Sequence, residues 1–279
     1  MWDFFKRFLR NRGAVAGALF LVIVLLMAAV APLVYPASPW DMAGAPFQPP
    51  GERGFVLGSD MLGRDVASGI MHGAVVSLLI GLVSAFVAVT IGVTVGGVAG
   101  YYGSRIDDAF MRVTEFFQTI PNFVLLIVLV ALFTPSVASI VVAIGVVSWP
   151  PVARIVRGEF LSIRSREFVQ AAMLMGESDL RIMLTQVLPN ALSPVIVAGS
   201  LLVATAILLE SALSFLGLGD PNLMSWGYMI GAARTVMRRA WWMSVFPGLA
   251  IVLTVLALNL LGDGLNDALN PRLARKGRA

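Results

Sequence analysis

An uninterrupted apolar run extends from Phe116 to Val152 and contains 37 residues without a charged side chain. As one helix it would be about 55 Å long at 1.5 Å per residue, whereas the hydrocarbon core of a bilayer is about 30 Å thick. Pro135 lies within the run, lacks an amide hydrogen and disfavours helix at Thr134. The run therefore predicts two membrane-spanning helices joined by a tight turn at Pro135.

Four further runs each approach the roughly 20 apolar residues that a membrane-spanning helix needs. They are Ala14 to Val34, Ala74 to Ala99, Leu192 to Leu209 and Val245 to Leu261. Hydrophobic residues make up 58% of the chain and charged residues only 13%, more apolar than a water-soluble domain of this length requires. The sequence thus predicts an all-α, polytopic membrane protein with six transmembrane helices.

The distribution of basic residues tests the number of spans, because cytoplasmic loops carry an excess of Lys and Arg. With six spans, 15 of the 20 Lys and Arg residues lie on one side and 5 on the other. With five spans the division is 9 against 11, which has no asymmetry. We therefore predict six spans with both termini in the cytoplasm, and an uncleaved first span after the basic segment "KRFLRNR". Because the basic residues follow this topology and form no solvated stripe, we expect no nucleic-acid partner.

On this topology, residues 1–13 form a cytoplasmic N-terminus and residues 14–279 form a single transmembrane domain. The external segments are residues 35–73 and 210–244, and the cytoplasmic ones are the loop 154–190 and the tail 262–279. In the first external segment, Ser59 or Asp60 is expected to cap a short helix. Gly92, Gly96 and Gly100 share one helical face, which favours close packing either within the chain or between subunits.

Several classes of active site are excluded by the residues that the chain lacks. It has no cysteine and one histidine, His72, so we expect no metal site. The only lysines are Lys6 and Lys276, neither of which follows the Gly-rich turn of a P-loop. No G-x-S-x-G turn is present. We therefore expect no enzymatic activity and no cofactor in this chain.

The cytoplasmic stretch "SREFVQAAMLMGESDLRIMLTQVLPNALSP" is the most polar long segment in the second half of the chain. Arg166 to Met175 favours a short helix, and Gly176 lies where a left-handed cap would end it. Ser178 is expected to cap a second helix, which we expect Pro189 to end before the next span. Ala171 and Ala172, just before the turn, are small enough to permit close docking of another protein.

The spacing of this stretch resembles the cytoplasmic "EAA" loop of ABC importer permeases. The matching residues are Ala171, Ala172, Gly176, Leu188 and Pro189. Gln170 stands where the pattern has Glu, and Gln186 where it has Ile. Glu167, one helical turn before Gln170, offers a carboxylate on a neighbouring face.

Four other stretches resemble the peptide-importer branch of the same family. They are "LGSDMLGRD", "GYYGSRIDDAFMRVTEFFQTIP", "LLESALSFLGLGDPNLMSWG" and "WWMSVFPGLAIVLTVLALNLLGDGLNDALNPRL", and with the loop they cover almost the whole chain in order. The resemblance implies a type I permease subunit of the bacterial inner membrane. It further implies a second homologous permease, two cytoplasmic ATPases that bind ATP and Mg, and an extracytoplasmic substrate-binding protein. The loop would then sit on an ATPase and couple it to the spans.

Two external features are candidates for contact with the pathway or the binding protein. Glu210 lies at the outer end of the fifth span, where the alternative is a simply hydrated carboxylate. Arg234, Arg238 and Arg239 form an external basic cluster, for which anchoring at the membrane interface is the alternative.

Other functions remain open from the sequence. Nickel complexes, glutathione and opine-like solutes are alternative substrates for similar permeases. An ion-coupled secondary transporter would carry intramembrane acids and broken helices, which the sequence does not clearly show. A membrane scaffold without transport activity is a third possibility. The cytoplasmic loop, with two short helices separated at Gly176, argues against it.

Overall fold

The computed structural model describes the backbone of residues 2–269 and the side chains of residues 6–269. Within this part, the regular elements are helical, apart from an isolated bridge between Ser59 and Asp65. The helices are α1 (Trp2–Arg10), α2 (Arg12–Val34), α3 (Val66–Tyr102), α4 (Ser104–Thr119), α5 (Asn122–Leu132), α6 (Val137–Arg164), α7 (Glu167–Leu174), α8 (Asp179–Ile182), α9 (Leu188–Phe215), α10 (Trp226–Ala233) and α11 (Trp242–Leu269). The predicted tail beyond Leu269 lies outside the described residues.

Five continuous helical segments are long and apolar enough to cross a membrane. Helices α4 and α5, bent by 86° relative to each other, together also have the length and apolar composition of a span, which gives six if the pair is counted as one. The predicted turn at Pro135 is confirmed, since α5 ends at Leu132 and α6 begins at Val137. The predicted continuous span from Phe116 to this turn is wrong. Pro121 interrupts it, because proline disfavours helix at the preceding Ile120, whose backbone is extended.

The direction of α3 and α6 explains why the chain must cross between them. A Cβ atom placed on Gly92 would lie 2.6 Å from the Cβ atom of Val152, and one on Gly100 would lie 2.6 Å from the carbonyl oxygen of Arg157. Contacts therefore advance along both helices in the same direction. Parallel neighbours require the intervening chain to return to the side from which α3 started, as six spans demand. The glycine face thus packs within this chain.

The external segment before α3 differs from the prediction. Asp65, rather than Ser59 or Asp60, caps the helix, and its Oδ1 accepts hydrogen bonds from the backbone amides of Ala67 and Ser68. Burial raises the pKa of Asp65, although these two hydrogen bonds act to lower it. The helix that begins at Val66 is α3 itself, so no separate short helix precedes the second span.

The two ends of the described chain meet at one end of the bundle. Helix α2 packs antiparallel to α11, and the side-chain amide of Asn11 donates a hydrogen bond to Asp267 at 2.9 Å. This places the N-terminal segment and the end of α11 on the same side, as an even number of spans requires. Their position in the cytoplasm remains a prediction.

Candidate functional site

The loop predicted to be cytoplasmic turns sharply at Gly176, as predicted. Helix α7 ends before Gly176, which has a φ of 78°. The amide of Glu177 donates to the carbonyl of Ala172, and the amide of Gly176 donates to that of Met173. These two hydrogen bonds form the Schellman motif, which satisfies carbonyls at the end of the helix and fixes the direction of the following chain.

The second helix of the loop does not end at Pro189. Residues 179–215 form one continuous helical segment, in which Met183–Val187 is a π-helical turn. The amide of Leu188 donates to the carbonyl of Met183, five residues earlier. In a regular α-helix, the ring of Pro189 would clash with the carbonyl four residues earlier. The wider π-helical turn lies at this point and makes room for the ring, so the helix continues through Pro189. The Gly176 turn is therefore joined to α9 by one continuous helical segment.

The two alanines of the loop have opposite environments. Ala172 is 3% exposed and belongs to a cluster with Val169 and Ile182 of the same chain. Ala171 is exposed. The prediction that both alanines dock another protein is therefore wrong for Ala172, which instead permits the two helices of the loop to pack closely.

The exposed apolar surface of the loop lies on either side of the turn. Leu174 is 90% exposed and Met175 is 75% exposed, although both lie outside the long apolar spans. We call the following residues the tip surface: Phe168, Leu174, Met175, Leu180 and Leu184, all exposed. This surface was not predicted, although an apolar pair beside a helix-ending glycine is a usable signal.

The remaining residues named for the EAA-like loop lie around the tip surface. Glu167 is exposed in the first turn of α7, where a carboxylate is favoured by the helix dipole. Gln170 is also exposed, but its side-chain amide donates to the backbone carbonyl of Arg164 at 3.0 Å. Leu188 is partly buried against the cluster that contains Ala172, whereas Pro189 is exposed. These contacts hold the loop against the end of α6.

A second set of contacts fixes α4 to the same end of α6. Arg157 forms a bidentate ion pair with Asp107, at 2.5 and 2.6 Å. Arg154 donates to Gln118 at 2.9 Å. Bidentate Arg–carboxylate pairs are both strong and directional. The residues 154–164, predicted as loop, are thus the final turns of α6 and serve to order its surroundings.

At the external end, Glu210 is not hydrated, contrary to one alternative. Its side chain is 2% exposed, and its Oε1 accepts hydrogen bonds from Ser214 and Ser225 at 2.8 and 2.7 Å. Gly227 leaves the space that the carboxyl group occupies, since a Cβ atom there would lie 2.8 Å from both carboxyl oxygens. Glu210 therefore joins α9 to α10 and has no surface for a partner or a solute.

The external arginines are exposed, as the prediction of a contact surface requires. Arg234 donates to the carbonyl of Phe215 at 3.0 Å, and the guanidinium of Arg239 lies 4.3 Å from the centre of the Phe47 ring. Arg238 is exposed between them. Together the three form a positively charged external surface.

Comparison with known proteins agrees with this arrangement. Residues 92–275 match the model of the family "binding-protein-dependent transport system inner membrane component". The chain belongs to this family. Residues 1–50 match the N-terminal TM domain of oligopeptide transport permease C. The resemblance found in the sequence is thereby confirmed, and the chain is a multi-pass transport subunit rather than an enzyme.

Individual relatives align over almost the full chain. It is 40% identical to the di/tripeptide transport system permease protein DppC of Pseudomonas aeruginosa, over 97% of this chain and 92% of that protein. It is 41% identical to the dipeptide transport system permease protein DppC of Escherichia coli K12, over 98% and 92% respectively. The fold is similar to a chain of the inward-facing MetNI methionine ABC transporter, with 19% identity and a TM-score of 0.61. That alignment covers 72% of this chain and 96% of the other, and it concerns the fold alone.

Membership of this family implies partners of two general kinds. An importer that depends on a binding protein needs that protein outside the membrane, and an ABC importer needs ATPases. The two exposed surfaces described above lie at opposite ends of the bundle. They are the tip surface beside Gly176 and the arginine surface beside α10.

Proposed function

We propose that this chain is one of two homologous permease subunits of an ATP-driven importer of small peptides in the bacterial inner membrane. In this proposal, two cytoplasmic ATPases bind ATP and Mg and drive the cycle, while an extracytoplasmic binding protein selects the peptide. The two permeases form the pathway together. The relatives at 40% and 41% identity, named for dipeptide and di/tripeptide transport, support small peptides as the substrate class.

The observation that carries the mechanism is the exposed tip surface on a rigid turn. Large apolar side chains exposed at this level, with Leu174 outermost, favour a lasting protein partner. The Schellman motif at Gly176 and the continuous helix through Pro189 make the tip stiff. A stiff element passes a displacement on to the spans, whereas a flexible loop would absorb it. We therefore assign the tip surface as the contact with an ATPase.

The test is uptake by the assembled complex in liposomes. We expect a labelled dipeptide to accumulate only when ATP is on the ATPase side and loaded binding protein is on the other side. The isolated chain should hydrolyse no ATP. Unlabelled peptides should compete, whereas nickel complexes, glutathione and opines should not.

Three results would contradict the proposal. Competition by nickel complexes, glutathione or opines, but not by peptides, would replace the substrate class. Uptake by this chain alone, driven by a proton or sodium gradient, would indicate a secondary transporter. Substantial ATP hydrolysis by the isolated polypeptide would refute the division of labour.

A further inference from the structure

Tyr101 lies in the last turn of α3, far from the cytoplasmic loop in the chain, yet it contacts the loop directly. Its side chain is 2% exposed. Its hydroxyl group donates a hydrogen bond to Oδ1 of Asp179 at 2.9 Å. Asp179 is the first residue of α8 and follows the Gly176 turn by three positions. The hydrogen bond therefore joins the end of α3 to the start of the helix that continues into α9.

The end of α6 meets the same point. The guanidinium of Arg164, the last residue of α6, lies 5.5 Å from the centre of the Tyr101 ring. The backbone carbonyl of Arg164 also accepts the hydrogen bond from Gln170 of α7. The ring itself belongs to the buried cluster that contains Val169 and Ile182. The ends of α3 and α6 and both helices of the loop thus meet around one tyrosine.

Chain connectivity shows why this contact matters. The Gly176 turn directly follows α7 and α6 and directly precedes α8 and α9, whereas α4, α5 and α6 separate it from α3 in the chain. Helix α3 nevertheless packs along both α6 and α9. A hydrogen bond to a carboxylate is short, directional and stronger than one between neutral groups. It gives the turn a defined attachment to the third long helix.

We propose that Tyr101 is a positioning residue that transmits displacement of the Gly176 turn to α3. This rests on the proposed function, because it requires an ATPase to move the turn. Without the hydroxyl group, α3 follows the loop through apolar contacts and the Arg164 contact with the ring, which resist sliding less well than a directional hydrogen bond. ATP hydrolysis then continues while fewer of its cycles move the pathway.

The test compares Tyr101→Phe with Tyr102→Phe in the assembled complex in liposomes. Both substitutions remove one hydroxyl group from adjacent residues of α3, but Tyr102 is 42% exposed, and its hydroxyl is not the one that bonds Asp179. The measured quantity is the amount of peptide taken up per ATP hydrolysed. Tyr101→Phe should lower this ratio by about tenfold, with unchanged basal ATP hydrolysis and unchanged yield of complex. Tyr102→Phe should match the wild type.

Substitutions of Asp179 check that the effect belongs to the hydrogen bond. Asp179→Ala should lower the ratio as Tyr101→Phe does, and the double variant should be no worse than either, because both remove the same interaction. Asp179→Asn retains an acceptor oxygen and should keep most of the coupling.

The outcomes separate this inference from the proposed function. Wild-type uptake with an unaltered ratio in Tyr101→Phe would overturn the inference alone. A lower yield or thermal stability of the complex with an unaltered ratio would also overturn it, since Tyr101 would then only stabilise the fold. A wild-type complex without ATP-dependent uptake would overturn the proposed function and the inference together.

Discussion

Two turns at opposite ends of the bundle have the same backbone geometry. At the cytoplasmic end, Gly176 has a φ of 78° and the amide of Glu177 donates to the carbonyl of Ala172. At the external end, Gly217 has a φ of 84° and the amide of Leu218 donates to the carbonyl of Leu213. Each turn therefore ends a helix with a Schellman motif.

The surroundings of the two turns differ. On either side of Gly176, the apolar side chains of the tip surface are exposed. Beyond Gly217, the chain folds back, and α10 buries Trp226, whose indole nitrogen donates to the carbonyl of Ile70 at 2.9 Å. The buried carboxyl group of Glu210 holds the same helix. This end buries Trp226 and Glu210 inside the chain and presents arginines at its surface, alongside the exposed side chains of Phe215 and Leu216.

The Schellman motif alone therefore does not make a turn a coupling element, because both turns contain it. An exposed apolar surface suits a partner that stays bound, because its burial stabilises the complex. A charged surface suits a partner that binds and leaves, since charge complementarity mainly increases the association rate and the specificity. The cytoplasmic end is thus suited to the ATPase, and the external end to the binding protein.

The largest effect is expected from charging the tip surface. Leu174→Glu combined with Leu180→Glu places two carboxylates in the apolar contact and should reduce uptake on the order of 100-fold, through loss of bound ATPase. The measurements are ATPase retained by the affinity-purified permease, and uptake. Met42→Glu is the control, because Met42 is also largely exposed but lies in the external segment. If the double variant retains the ATPases, the tip surface is not the contact that holds them.

The two glycines themselves give a smaller and sharper test. Valine at either position must adopt a positive φ, at a cost of about 1 kcal/mol or more. Neither position has another atom within 4 Å of a Cβ atom, so steric contact is not an added factor. Gly176→Val and Gly217→Val should therefore lower the thermal unfolding midpoint in detergent by similar amounts. Uptake should fall about tenfold in Gly176→Val only, because only that turn is displaced by the ATPase. Equal losses of uptake would show that the two turns do not differ in function.

Much of the fold follows from chain length, hydropathy and the positions of glycine and proline. Lipid-length runs identify the spans, and Gly176 marks its turn because few other residues adopt a positive φ. The bend at Pro121 was not predicted, since a proline near the end of a run does not reveal whether the helix stops or continues. Pro189 shows the opposite outcome, because a π-helical turn accommodates its ring.

The candidate site was predictable only in part, because burial depends on distant segments. Ala171 and Ala172 are adjacent and chemically identical, and only the packing of the loop, which brings Ile182 from beyond the turn into the same cluster as Ala172, distinguishes them. The carboxyl group of Glu210 is enclosed by Ser225 and Gly227, which are distant in the chain and brought close by α10. The contact of Tyr101 with Asp179 joins residues 78 positions apart. No local pattern encodes such contacts.

The smallest effect is expected at the external arginines. Arg238→Glu reverses one exposed charge and should raise the concentration of loaded binding protein needed for half-maximal ATP hydrolysis by about threefold to tenfold at roughly 0.1 M salt. Arg53→Glu is the control, because it makes the same change of charge at another exposed external position. The difference should shrink at about 1 M salt, where the Debye length falls from about 10 Å to about 3 Å. Arg239 is less suitable for this test, since its guanidinium also packs on Phe47 and its loss would disturb the external segment. If Arg53→Glu has the same effect, the effect reflects net charge alone. If the effect of Arg238→Glu persists at high salt, the arginine makes a packed contact, and the external end then resembles the cytoplasmic one.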